Sequence, residues 1–155
     1  MTSVGAQCAF LKASPELRAA LHLLGNRQRF SAGQILFRED QEAFGAFLLL
    51  KGKVRMSVQS LPKLDRQFSA GSLMGLPSTF TGRPYSLTAQ AITDADVLHI
   101  PPETFLQLMR DRPELCREAT EMLGREVTFI QSALAERRKQ ASSRKLFADE
   151  LAVGS

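Results

Sequence analysis

The segment from Gly71 to Ala89, GSLMGLPSTFTGRPYSLTA, constrains this chain more than any other. It reads as a strand end, a tight glycine corner at Gly75, one short helical turn, and a polar loop that enters another strand at Leu87. A short helix that follows a glycine leaves several backbone N–H groups free at its N-terminus, where they can hold an anion. The flanking glycines let the backbone approach closely, and Ser86 and Thr88 add hydroxyl donors.

The rest of the chain limits what such a segment can belong to. At 155 residues there is room for one core and not for two full domains. A hydrophobic fraction of 44% with 23% charged residues is ordinary for a globular protein. The longest apolar run, Ala46 to Leu50, is strand-sized, far short of the ~20 residues of a membrane span. With no basic region and apolar core at the N-terminus, secretion is not indicated, and the expected location is the cytoplasm. Cys8 and Cys116 are far apart and form no Cys-x-x-Cys pair, so both read as small hydrophobes rather than a disulfide framework. The net charge of +4 is concentrated late in the chain, where Arg137, Arg138, Lys139, Arg144 and Lys145 face only Glu136, Asp149 and Glu150. A solvated helix end, its cations complementing the macrodipole, accounts for this better than a nucleic-acid or lipid surface does.

Periodicity divides the chain into three parts. Ser14 suits an N-cap and Pro15 a first helical position, and Leu17, Leu21 and Leu24 give a helix over 14–24 its apolar stripe. From Arg27 to Ile100 the pattern becomes short strands punctuated by glycine. A strand over Phe44–Leu50 turns through Lys51-Gly52-Lys53, read as a hairpin, into the alternating Val54–Val58. Leu61-Pro62-Lys63 interrupts the pattern, and two last strands follow at Leu87–Ala91 and Val97–Ile100. Many short strands with frequent turns imply a closed or two-sheet β architecture. Pro101-Pro102 ends it. A helix then runs to Arg110, and a longer one from Pro113 to about Lys139.

In that last helix Leu115, Ala119, Met122, Leu123, Val127, Ile130, Ala133 and Leu134 step by three and four. At 1.5 Å per residue it spans roughly 40 Å, more than a small β-roll covers. Pairing with the same helix of a second copy is therefore expected, rather than packing wholly on its own domain. Gly124, inside the helix, reads as a point of close helix approach.

With these elements in place, the span from about Arg27 to Leu134 resembles the sensor domain of the Crp/Fnr regulator superfamily, a cyclic-nucleotide-binding domain. Four features in order carry the resemblance: Gly33 in Ala-Gly-Gln-Ile-Leu-Phe; Gly52 in Leu-Leu-Lys-Gly-Lys-Val; the pair Gly71 and Gly75; and the exit Arg83-Pro84-Tyr85-Ser86-Leu87-Thr88-Ala89. Asp40 stands where a further roll glycine is expected, and Asp also tolerates left-handed turns. The resemblance implies a mainly β fold with flanking helices: an eight-stranded jelly roll with an N-terminal helix and C-terminal B and C helices. It implies a sensor domain over 1–139 (helix 14–24, roll 27–100, helices 101–139) and a basic tail over 140–155.

Two family side chains are replaced. Where cyclic-AMP binders carry a Glu that accepts from the ribose, this chain has Leu76. Where they carry an Arg that pairs with the cyclic phosphate, it has Tyr85. Loss of a bidentate phosphate contact costs about 2–4 kcal/mol, roughly 30- to 1000-fold in affinity. Gly75, Leu76, Tyr85, Ser86 and Thr88 are the expected lining of any pocket, with Arg83 at its mouth and Phe129 and Ile130 closing it. Cyclic nucleotide is thus not expected as a tight ligand, and no cofactor or metal is implied. Two cysteines do not supply the about four ligands of an iron–sulfur sensor. The tail shows no helix-turn-helix pattern, so DNA is not an expected partner of this chain.

Catalysis finds no support in the sequence. His22 and His99 belong to no His-x-His or Glu-x-x-His cluster, and Ser86 has no His or Lys beside it. The expectation is a non-catalytic regulatory domain that forms a homodimer and answers to an unidentified small ligand or protein. The alternative is a truncated or divergent transcription regulator that binds cyclic nucleotide or DNA, motivated by Glu136–Lys139 and Arg144-Lys145.

Overall fold

The computed structural model describes residues 11–153, which form eight strands and four helices. Helix α1 (Pro15–Leu24) starts as expected: the Ser14 hydroxyl accepts from Leu17 N–H at 3.2 Å, and Pro15 occupies the first turn. Its inner face is Leu17, Ala20 and Leu21. Leu24, assigned to the stripe from the sequence, is exposed, as is Leu23. The helix ends where Gly25 N–H donates back to the Leu21 carbonyl.

The strands are β1 (Asn26–Phe30), β2 (Ile35–Phe37), β3 (Ala46–Lys51), β4 (Val54–Val58), β5 (Leu61–Phe68), β6 (Leu73–Met74), β7 (Thr88–Ala91) and β8 (Ala95–Ile100). They form two antiparallel four-stranded sheets, ordered β1-β8-β3-β6 and β2-β7-β4-β5. This is the jelly roll the sequence predicts. Alternation along β3 shows how the layers form: Phe47 and Leu49 enter the core between the sheets, while Ala46 and Leu48 face the opposite way, against the helices. On β8, Ala95 and Val97 point inward and Leu98 and Ile100 outward.

Two expectations are corrected here. Lys51-Gly52-Lys53 is not a hairpin, because β3 and β4 lie in different sheets. It is a corner that passes the chain between layers. Gly52 has φ +98°, and a Cβ there would come within 2.3 Å of the Asp94 carbonyl oxygen. Nor does Leu61-Pro62-Lys63 break the sheet: it opens β5, which pairs with β4 around the Gln59-Ser60 turn. Asp40 does take the left-handed conformation, at φ +68°.

Helix α2 (Leu76–Thr81) sits between β6 and β7, and α3 (Pro102–Asp111) follows β8. Helix α4 (Pro113–Val153) runs on past Lys139 for 41 residues in all, so the segment read as a tail continues the helix. The side chains of Arg137, Arg144 and Lys145, like Cys8, lie outside the described residues. The predicted pairing stripe is divided. The domain itself buries Leu115, Ala119 and Met122, because the first turns of α4 pack on α2 and α3. Leu123, Val127, Ile130 and Leu134 are half-buried. Gly124 makes no close approach within the chain, since a Cβ there would meet nothing within 4 Å.

Candidate functional site

The loop joining β6 to β7 is built around Gly75, which precedes α2 in a left-handed conformation at φ +83°. A Cβ on Gly75 would lie 3.2 Å from the Gly45 carbonyl oxygen and 3.3 Å from a carbon of the Tyr85 ring. The short helix is tied to its own entry: Thr79 donates to the Gly75 carbonyl through both N–H (3.1 Å) and Oγ1 (2.7 Å). Ser78 Oγ donates to the Pro84 carbonyl at 3.1 Å and closes the loop. Ser78 and Thr79, both buried, were not singled out in the sequence. The signal for Thr79 is a hydroxyl placed to bond back along its own turn, whereas Ser78 reaches six residues forward to Pro84.

Tyr85 is the centre of this arrangement, and it is almost wholly buried, at 1% exposure. Its ring stacks on Phe37 with centroids 4.1 Å apart and meets the edge of Phe44 at 5.5 Å. The phenol donates to the Gly45 carbonyl at 2.7 Å and accepts from Phe44 N–H at 3.1 Å. Burial pushes its pKa up, against the two backbone hydrogen bonds that pull it down. Its backbone adds two bonds to the facing loop, from Tyr85 N–H to Gln41 O and from Asp40 N–H to Tyr85 O. Tyr85 therefore locks the exit of the cassette onto residues 40–45.

The other expected site residues are spread out. Leu76 is fully buried in the outer core cluster that also contains Phe105 and Met122. Arg83 and Ser86 are exposed, and Arg83 N–H donates to Thr81 Oγ1. Thr88 Oγ1 accepts from Glu39 N–H at 3.0 Å. It borders a shallow depression of about 390 Å³ with Arg38, Glu39, Ser57, Val58 and Gln59. Phe129 and Ile130 lie against the inter-sheet core with Ala133 and Leu134, and the Arg66 guanidinium sits 4.8 Å over the Phe129 ring. This stretch of α4 therefore packs against the roll.

One buried group has no counterpart in the sequence reading. Glu126, on α4 one turn after Met122, is only 4% exposed, and burial pushes its carboxyl up to about 8. A stripe defined by apolar residues passes over it. Among the histidines, His99 Nε2 lies 2.7 Å from the Phe44 carbonyl oxygen, and its ring packs on Phe47. No cluster of metal-ligating side chains occurs among the described residues, and none of their helices is long and apolar enough to cross a membrane.

These features define a class. The cyclic nucleotide-binding domain family matches residues 27–112, and the chain belongs to that family. Its fold is shared by the catabolite activator protein of Thermus thermophilus (24% identity, TM-score 0.67, covering 83% of this chain and 62% of that one). A transcriptional regulator of Thermotoga maritima is similar at 20% identity and TM-score 0.65, over 76% of this chain and 94% of that one. So is oxidised CprK in complex with o-chlorophenolacetic acid, at 15% identity and TM-score 0.65, over 88% and 57%. The chain spans 62% of the length of the Thermus protein. No curated protein sequence matches it significantly. The fold is thus that of a cyclic nucleotide-binding domain.

Proposed function

We propose that this chain is a non-catalytic sensor domain whose cassette has diverged from tight cyclic-nucleotide binding. The observation that carries this reading is Tyr85. At the place of the phosphate-pairing cation stands a neutral, buried phenol that already donates to Gly45 O and accepts from Phe44 N–H. Turning it toward a phosphate would break both bonds and expose the Phe37 stack. Leu76, at the place of the ribose acceptor, offers no polar atom and is itself core. Arg83, exposed on the loop, is the nearest cation in sequence.

The wall above the roll is apolar, formed by Phe129, Ile130, Ala133 and Leu134. It suits an apolar or aromatic effector, and CprK, of the same fold, is complexed with a chlorinated aromatic acid. We place the protein as a homodimer joined along α4, with effector or partner binding as its output.

Calorimetric titration with cyclic AMP and cyclic GMP tests the central point. No heat of binding is expected at micromolar ligand. Micromolar affinity for either would overturn the reading and assign the phosphate to Arg83 or the α2 backbone.

A further inference from the structure

Two cations converge on the turn before β6, away from the cassette. Residues 11–13 run beside this turn: Lys12 bridges Ser72 in antiparallel fashion, and Ala13 N–H donates to Gly71 O at 2.9 Å. The Lys12 ammonium donates to Ser69 Oγ at 2.6 Å and to Ala70 O at 2.5 Å. Arg18 reaches in from α1, held by its Nε–H bond to Ala13 O at 2.7 Å. Its guanidinium lies across Gly71 so closely that a Cβ there would come within 2.5 Å of Nη2 and 3.1 Å of Nη1.

The charges are not balanced. Among the described residues the ion pairs are Arg27–Asp96, Arg29–Asp96 and Arg112–Glu114, and neither Lys12 nor Arg18 takes part. The Glu118 carboxylate, which reaches across from α4, bonds Ser14 instead, at its N–H (2.7 Å) and Oγ (2.6 Å). Burial first, and then the charge of Arg18, pull the Lys12 pKa down. Stapling the Ser69–Gly71 turn accounts for Lys12. It does not account for Arg18, whose two η nitrogens have no hydrogen-bond acceptor among the described residues. Ser69 Oγ, having accepted from Lys12, keeps its own hydrogen to donate.

An arginine fork, an ammonium and a hydroxyl, side by side and without a carboxylate, match the oxygens and charge of a phosphate group. We propose that Lys12, Arg18 and Ser69 form a binding site for a phosphate-class oxyanion. Occupancy would tie α1 to the turn that runs through β6 into Gly75.

Titration of the full chain with inorganic phosphate, against sodium chloride at equal ionic strength, tests the site. Saturable binding is expected, weakened about tenfold or more by Arg18→Gln and also weakened by Lys12→Gln. Amide shifts of the unsubstituted chain provide a reading that does not depend on either variant folding. On phosphate addition they should centre on 12–18 and 69–72. No saturable binding beyond chloride, unchanged affinity in folded variants, or shifts centred on the 75–88 loop would overturn the proposal. The last result would place phosphate in the cassette instead.

Discussion

At the level of single side chains, Glu126 shows what burial alone does to a charge. It is buried on α4, and desolvation is the cause of its raised pKa. The elements packed most extensively on α4 are α2, which carries no ionisable group, α3, whose Glu103, Arg110 and Asp111 are exposed, and β5, whose Arg66 lies over Phe129; ahead of α1, Ser14 holds the Glu118 carboxylate. With the folded value near 8 and the usual value at 4.5, the native state holds a proton that the unfolded chain releases across that interval. Stability from this group is therefore full below 4.5 and lost as pH rises through about 8. Glu126→Gln should flatten that decline and stabilise the protein more at pH 8 than at pH 5, as read by urea denaturation. An identical gain at both pH values would show that Glu126 is not buried as a neutral acid. Neither Glu126 nor the fixed role of Tyr85 was legible in the sequence. The substitution of tyrosine for a cation could be read there. That the phenol would be consumed by Gly45 and Phe44 depends on the 40–45 loop, forty residues away.

Among elements, strand positions were more legible than strand partners. The apolar alternation that marks Val54–Val58 depends only on local sequence, and it gave β4 correctly. Lys51-Gly52-Lys53 has the chemistry of a hairpin, yet the same positive-φ glycine serves equally at a corner between sheets. What decides is the packing of β8 beside β3, which brings Asp94 and Ala95 against Gly52. A comparison of two glycines tests this. Gly33 also has positive φ, at +92°, but a Cβ there meets open space. Gly33→Ala should cost about 1 kcal/mol, from conformation alone. Gly52→Ala adds a collision with backbone atoms that cannot rotate away, and should cost at least about 2 kcal/mol more in denaturant unfolding. Equal costs would mean that the Gly52 corner yields easily and is not a fixed junction of the two sheets. Helix ends show the same division: Ser14 and Pro15 fixed the start of α1, whereas Leu24 matched the helical period of buried Leu17 and Leu21 but is exposed at the helix end.

For the whole molecule, the length of α4 sets the remaining question. Forty-one residues at 1.5 Å each extend about 60 Å, and the roll covers one side of the helix through Leu134. Its other side presents Thr120, Gly124 and Thr128, four residues apart and exposed. A shallow depression of about 690 Å³ on this side is lined by Glu121, Gly124, Arg125, Thr128 and Phe129. Small residues at that spacing let two helices come close, and in the proposed dimer Gly124 would lie between the copies. Substitution at this position separates fold from assembly. Gly124→Arg replaces a poor helix former with a good one, worth about 1 kcal/mol to the helix, at an exposed position where a Cβ meets nothing within 4 Å in its own chain. In a two-fold pair the same side chain would lie at the contact and bring two like charges together. Sedimentation equilibrium should therefore show a dimer for the unsubstituted chain and a monomer of undiminished thermal stability for Gly124→Arg. A variant that remains dimeric would place the interface on another face of α4. A variant that unfolds would mean that the protomer depends on its partner, because position 124 is exposed in the protomer and a Cβ there meets nothing.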